Sequence, residues 1–247
     1  MGRAAETVNR MQIDRIVPLA RQLLVLPTGD SHPDLWLWEH AERVMRLTQL
    51  VARLPEVGDV GPDLTALAAA ALFHDAGWVL EFHQGRFERW QVLTRPTNDL
   101  QRELGAAMLQ EEAGPLLGGP TTRLAGDAIR QCNDRRTTLI EARILAEAEA
   151  IDEIGVMYVL RQFRQYQAEG RPIQQLADSW QRQKEYRYWE VRLQDGFRFE
   201  STRALARQRL AAVDAFMTAL ASDLRGADLT RLLTQAGAAR TPEPSER

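Results

Sequence analysis

Three stretches of this chain carry side chains that could do chemistry together. His40 sits in EHAERV (39–44), His74 and Asp75 close AALFHDAGW (70–78), and the acidic run EAEAIDE covers 147–153. Histidine is scarce, since the chain has only His32, His40, His74 and His83. A neutral imidazole is the commonest protein metal ligand, and a carboxylate adds the charge that suits a hard or borderline divalent cation. His74 and Asp75 are neighbours at the end of the apolar run LTALAAAALF. Adjacent residues on a helix point about 100° apart, yet at a helix end both can reach one ion. Left without partners, two such polar groups beside a buried helix would cost stability. A core histidine bonded to a carbonyl is the plainer reading of either imidazole alone; the combination argues for a site.

The acid that would complete such a site must come from 147–153, and two residues compete. The apolar stripe Ile144, Ala148, Ile151, Gly155 and Val159, projected at helical spacing, puts Asp152 nearer its centre than Glu149. Glu147 and Glu153 fall further out and are expected to be solvated. An acidic pair three residues apart could share the work, one as ligand and one orienting an imidazole. Arg43, three residues after His40 and therefore on its face, is the best placed guanidinium for binding a phosphate in bidentate fashion.

The elements that must position these residues are helices. Apolar residues recur at three- and four-residue spacings in 11–24, 35–54, 64–75, 99–113, 121–132, 139–167, 173–180, 200–223 and 227–235. Breakers separate them, among them PTGDSHPD (27–34), PEVGDVGPD (55–63) and LQDGF (193–197). Strand signals are nearly absent and no repeat of fixed period is seen. The expectation is an all-α fold with a single core, and GAARTPEPSER at the end is expected to be a loose tail.

Composition limits the partners. Hydrophobic residues make up 45% and charged residues 26% of 247 positions, with a formal charge of −3. That charge gives no strong electrostatic signal for nucleic acid or an acidic membrane. Cys132 is the single cysteine, which excludes an intrachain disulfide and favours a reducing setting. No apolar run approaches a membrane span, so a cytoplasmic protein is expected. Lys184 is the single lysine among 31 basic residues, a bias that says little about function.

EHAERV together with AALFHDAGW resembles the HD-domain metal-dependent phosphohydrolase superfamily, whose signature is a His on one helix, a His-Asp pair on the next and a distant acid. EAEAIDEIGVMYVLR (147–161) is similar to the stretch that reads D-A-D-x-L-D-x-I-G in one uncharacterised bacterial branch of HD hydrolases. The segment 188–220 resembles the C-terminal helical region of that branch. The resemblance implies a single-domain HD-type helical bundle with extra C-terminal helices: an N-terminal helix over 1–30, the HD core over 31–165, a helical extension over 166–236 packed on it, and a flexible tail over 237–247. It implies one divalent ion (Mn, Co, Ni, Fe, Mg or Zn) on His40, His74, Asp75 and Glu149. Glu149 stands where the family's motif has Asp, so it departs from the pattern by one methylene. Members with two or three metals add histidines between the HD pair and the last acid; NDLQRELGAAML and AIRQCNDRRTTL contain none. A mononuclear site follows.

The resemblance further implies hydrolysis of a phosphate ester of a nucleotide or other small phosphorylated metabolite. Asp75, Arg43 and Asp152 are then the catalytic candidates. Arg43, His83, Arg86, Arg135 and Arg136 are the candidates for holding substrate. VLEFHQGRFERWQVLTRPTND (79–99) is expected to shape the pocket mouth. Glu149 and the missing histidines keep a second reading open, a catalytically weakened HD protein that binds a nucleotide or partner in a regulatory role. A homodimer also stays open.

Overall fold

The computed structural model describes residues 2–29, 32–59 and 61–238. Among them the chain is all helical, with one isolated bridge between Leu26 and Asp34. The helices are α1 (Gly2–Leu24), α2 (Trp36–Val51), α3 (Leu64–Phe73), α4 (Gly77–His83), α5 (Asp99–Met108), α6 (Gly114–Leu117), α7 (Gly119–Gln131), α8 (Ile140–Asp152), α9 (Val156–Ala168), α10 (Ile173–Glu185), α11 (Tyr188–Gly196), α12 (Glu200–Arg225) and α13 (Ala227–Ala238). A π-helical stretch, Leu109–Ala113, continues α5. The tail expected over 237–247 lies outside the described residues from 239 onward, and its first two positions end α13.

α3 is the central strut. Every residue from Thr65 to Phe73 is buried, and its alanines let α1, α2, α7 and α8 approach closely. Asp63 caps it by accepting from the backbone N–H groups of Thr65 and Ala66, both at 2.9 Å. A first apolar cluster runs from Ile16 to Ala148, and a second, from Ala150 to Met217, joins α8 to α9–α12. α8 is the seam between them.

Two stretches fold differently from their periodicity. The stripe over 139–167 breaks between α8 and α9, where Gly155 takes φ +101°, a conformation that favours glycine. Residues 79–83, the start of the expected pocket-mouth segment, belong to α4. Gly77 opens that helix because a Cβ there would lie 2.2 Å from the Gln101 carbonyl oxygen. Close packing of α4 on α5 is what requires glycine there.

Candidate metal centre

α2, the α3–α4 junction and α8 bring the three sequence stretches together. His74 is the C-terminal cap of α3, and Asp75 is the next residue on. Their partner from α2 is His40, with its ring centroid 5.2 Å from that of His74. All three residues are buried. His40 Nε2 lies 3.2 Å from His74 Nε2 and 3.1 Å from Asp75 Oδ2, and His74 Nε2 lies 3.3 Å from the same oxygen.

The other edges of these side chains are taken. His74 Nδ1–H donates to the Ala71 carbonyl at 2.7 Å, and His40 Nδ1–H donates to Asp152 Oδ2 at 2.7 Å. With both protons on Nδ1, each neutral ring turns a bare Nε2 lone pair inward. Asp75 Oδ1 accepts from Thr97 Oγ1 (2.6 Å) and Arg102 Nη1 (2.8 Å), while Thr97 is itself held by Trp78 Nε1 (2.9 Å). Asp75 Oδ2 is buried, and the polar atoms beside it are Nε2 of His40 and Nε2 of His74, which donate to it only when protonated. Three acceptors at about 3 Å from one another, closed off from water, repel unless a cation or a proton sits among them. His40, His74 and Asp75 thus fit a divalent ion through three atoms.

The charge state points the same way. Burial alone would lower His40, but its hydrogen bonds to Asp152 and Asp75 outweigh that and hold it up at about 9. A proton on His40 Nε2 would satisfy the same acceptors that a cation would. His74, equally buried and bonded only to a carbonyl, is pushed down. Burial opposes ionisation of Asp75, yet His74, Arg102 and His40 together hold it well below the carboxylate range.

Asp152 and Glu149 occupy different places. Asp152 is buried and accepts from His40 Nδ1, Arg43 Nε (2.7 Å) and Arg43 Nη2 (3.1 Å). It orients the imidazole, and Arg43 is committed to it. Glu149, expected to be the fourth ligand, does not join the cluster: its Oε1 accepts from Arg102 Nη2 at 2.5 Å. Arg102 is 1% exposed and bridges Asp75 to Glu149. Glu147, expected to be solvated, is buried and accepts from Thr202 Oγ1 and, at 2.5 Å, from the Arg198 backbone N–H.

Beside the cluster lies a polar cavity of about 150 Å³, lined by Thr97, Arg102, Asn133, Arg135, Glu149 and Arg198 among others. Arg135 is the one substrate candidate found there. His83 is exposed on α4 with its ring near Phe82, Arg86 reaches toward Glu81 at 3.5 Å, and Arg136 is exposed outside the lining. Trp38 and Trp78 are core residues. Of the segment 79–99, the end around Pro96 and Thr97 reaches the cavity. Sequence reasoning met Arg102 only as a residue standing where multi-metal members place further ligands, and passed over Arg192 and Arg198. Only Arg102 had a local signal, its place on the apolar stripe of α5 with Gly105, Ala106 and Leu109.

Residues 37–154 match the model of the HD domain. Two crystal structures share the fold: Bacillus subtilis YpgQ in complex with ADP, and Bacillus subtilis YpgQ alone. The first is 20% identical with a TM-score of 0.57, covering 87% of this chain and 96% of that one. The second is 19% identical with a TM-score of 0.55, covering 88% and 98%. A comparison with curated protein sequences finds no match.

Proposed function

The chain belongs to the HD-domain superfamily through residues 37–154, and from that premise we propose that it is a metal-dependent phosphohydrolase acting on a small phosphorylated substrate. One observation carries the reading: Nε2 of His40, Nε2 of His74 and Oδ2 of Asp75, all buried, converge to within 3.3 Å of one another. An ion held by these atoms supplies Lewis acidity to an attacking water and to a phosphoryl oxygen.

The chain's own residues do the rest. The Ala71 carbonyl and Asp152 keep both imidazoles in the tautomer whose Nε2 is free. Thr97 and Arg102 hold Asp75 by Oδ1, so that Oδ2 faces the centre and can accept a proton from a water placed there. Asp152 acts through His40 as a positioning residue, with Arg43 fixing Asp152. The neighbouring arginines offer donors to phosphate oxygens. That YpgQ was crystallised with ADP favours a nucleotide.

The test is metal content of the purified protein together with hydrolysis of p-nitrophenyl phosphate and a panel of nucleotides in Mn²⁺, Co²⁺ or Ni²⁺. His74→Ala and Asp75→Ala are expected to lose both bound metal and at least about 100-fold of the activity. Activity that survives both changes sinks the proposal. The Arg102–Glu149 ion pair favours a second reading, a regulatory HD protein with weakened catalysis. Nucleotide binding without turnover of any substrate would decide for it.

A further inference from the structure

Two apolar surfaces of this chain stand open, and each suits the other. The first is a groove between α2, the start of α9 and α12, with a volume of about 410 Å³ and walls that include Leu47, Ile154, Val156, Met157 and Ala212. Exposed apolar side chains extend it: Leu160 lies one turn along α9 from Val156, and Phe216 one turn along α12 from Ala212. The second surface is α13, which packs on the end of α12. Its Leu229, Leu232 and Leu233 share one face at i, i+3 and i+4, and they are 57%, 60% and 65% exposed. Among the described residues, none from α13 belongs to a buried cluster.

A helix of 12 residues is marginal in water on its own, and one with a leucine stripe needs an apolar partner. Charge selects the partner. At about 100° per residue, Asp228 flanks the leucine stripe and Arg231 falls on the opposite side. The groove is rimmed by cations, Arg46 and Arg209. Arg46 pairs with Glu42 of its own helix. The Arg209 guanidinium donates to the Ile151 carbonyl, and among the described residues it forms no ion pair. An arm with a carboxylate beside its leucines and its cation turned away suits such a rim. The arm does not turn back to fill the groove of its own chain, since all three leucines stand in solvent. A second copy carries the same arm and the same groove.

We propose that the chain forms a two-fold homodimer in which the α13 arm of each copy lies in the α2–α9–α12 groove of the other. Such an isologous exchange uses both arms and both grooves, which is how short helices reach the roughly 800 Å² per partner that stable dimers bury. Arg43 and Asp152 also line the groove, so the arm closes it over the pair that orients His40.

Sedimentation velocity of the full chain over about 1–100 μM, a range that brackets a micromolar dimer, tests it. Wild type is expected to be dimeric with Kd below about 10 μM. Leu232→Glu with Leu233→Glu on the arm, and separately Leu160→Glu with Phe216→Glu on the groove, are each expected to weaken the dimer at least about 30-fold. All four side chains are exposed, so folding is not at stake, and circular dichroism checks that helicity is kept. Asp228→Arg is expected to weaken the dimer about fivefold, and Arg231→Glu less than about twofold. A wild type still monomeric at about 100 μM overturns the proposal, whether its arm folds onto its own body or serves a different protein. So does a dimer broken by the arm variant but not by the groove variant, which would pair α13 with α13, and so does one indifferent to both. A larger effect of Arg231→Glu than of Asp228→Arg overturns it as well, because the arm would then face the other way.

Discussion

Arg102 is the residue on which metal binding should turn. Its guanidinium is buried, holding Asp75 Oδ1 at 2.8 Å and Glu149 Oε1 at 2.5 Å. It therefore withdraws one carboxylate from the ion and neutralises part of the charge on another. Arg102→Met would free Glu149, whose side chain is 14% exposed, to turn toward the three ligand atoms. An added anionic ligand strengthens divalent binding, so Mn²⁺ affinity by calorimetry is expected to rise about tenfold. The metal-free variant pays for this, since removing one partner of a buried pair costs about 3–5 kcal/mol. A double change, Arg102→Met with Glu149→Gln, should return the affinity to that of wild type. An Arg102→Met protein that binds Mn²⁺ no more tightly than wild type would show that Glu149 is not held in reserve.

At the scale of elements, the site depends on how closely α5 lies on the end of α3. A Cβ at Gly105 would come within 2.5 Å of the Phe73 carbonyl oxygen and 3.2 Å of that of His74. Arg102, one turn earlier, reaches the cluster because of this approach. Gly105→Ala should therefore force the helices apart, at a cost of about 1–3 kcal/mol or more, read as a lower urea midpoint. Gly61→Ala, where a Cβ meets nothing within 4 Å, is the control and should move the midpoint by less than about 0.5 kcal/mol. Equal effects at the two positions would refute the close-packing argument. The same scale explains what could be read from the chain. Periodicity located the helices that hold His40, His74 and Asp152, because those side chains sit on buried stripes. It ran α8 into α9 because Gly155 fits an apolar stripe as well as a break. It left Glu147 in water because the groups that cover it, Thr202 and the Arg198 backbone, lie more than fifty residues away. The arginines of the cavity gave no local signal in a chain whose basic residues are nearly all arginine; only tertiary closure gathers them.

For the whole molecule, the proton and the metal ion compete for one place, and stability should record it. In the metal-free fold, His40 faces Asp152, Asp75 and His74, with Arg43 and Arg102 bound to the carboxylates. Its pKa stands at about 9, above the ordinary histidine value of 6.5. A raised pKa stabilises the fold fully below 6.5, and that contribution, on the order of 3 kcal/mol, is lost as pH rises through 9. His74, held low by burial, acts in the opposite sense, costing stability as pH falls below 6.5. Chelator-treated protein should therefore be most stable near pH 6.5 and decline toward pH 9.5. A bound ion displaces the His40 proton, and its affinity rises with pH as that proton becomes easier to remove. At a hundredfold excess over Kd it adds about 2.7 kcal/mol, or roughly 5–10 °C in Tm for a chain of this size. With saturating Mn²⁺ the decline between pH 6.5 and 9 should vanish, and His74→Ala should abolish the Mn²⁺ effect. Thermal melts at pH 6.5, 7.5 and 9, with chelator and with Mn²⁺, measure all of this. Parallel pH profiles in the two conditions would mean that the ion and the proton do not share the space between His40, His74 and Asp75.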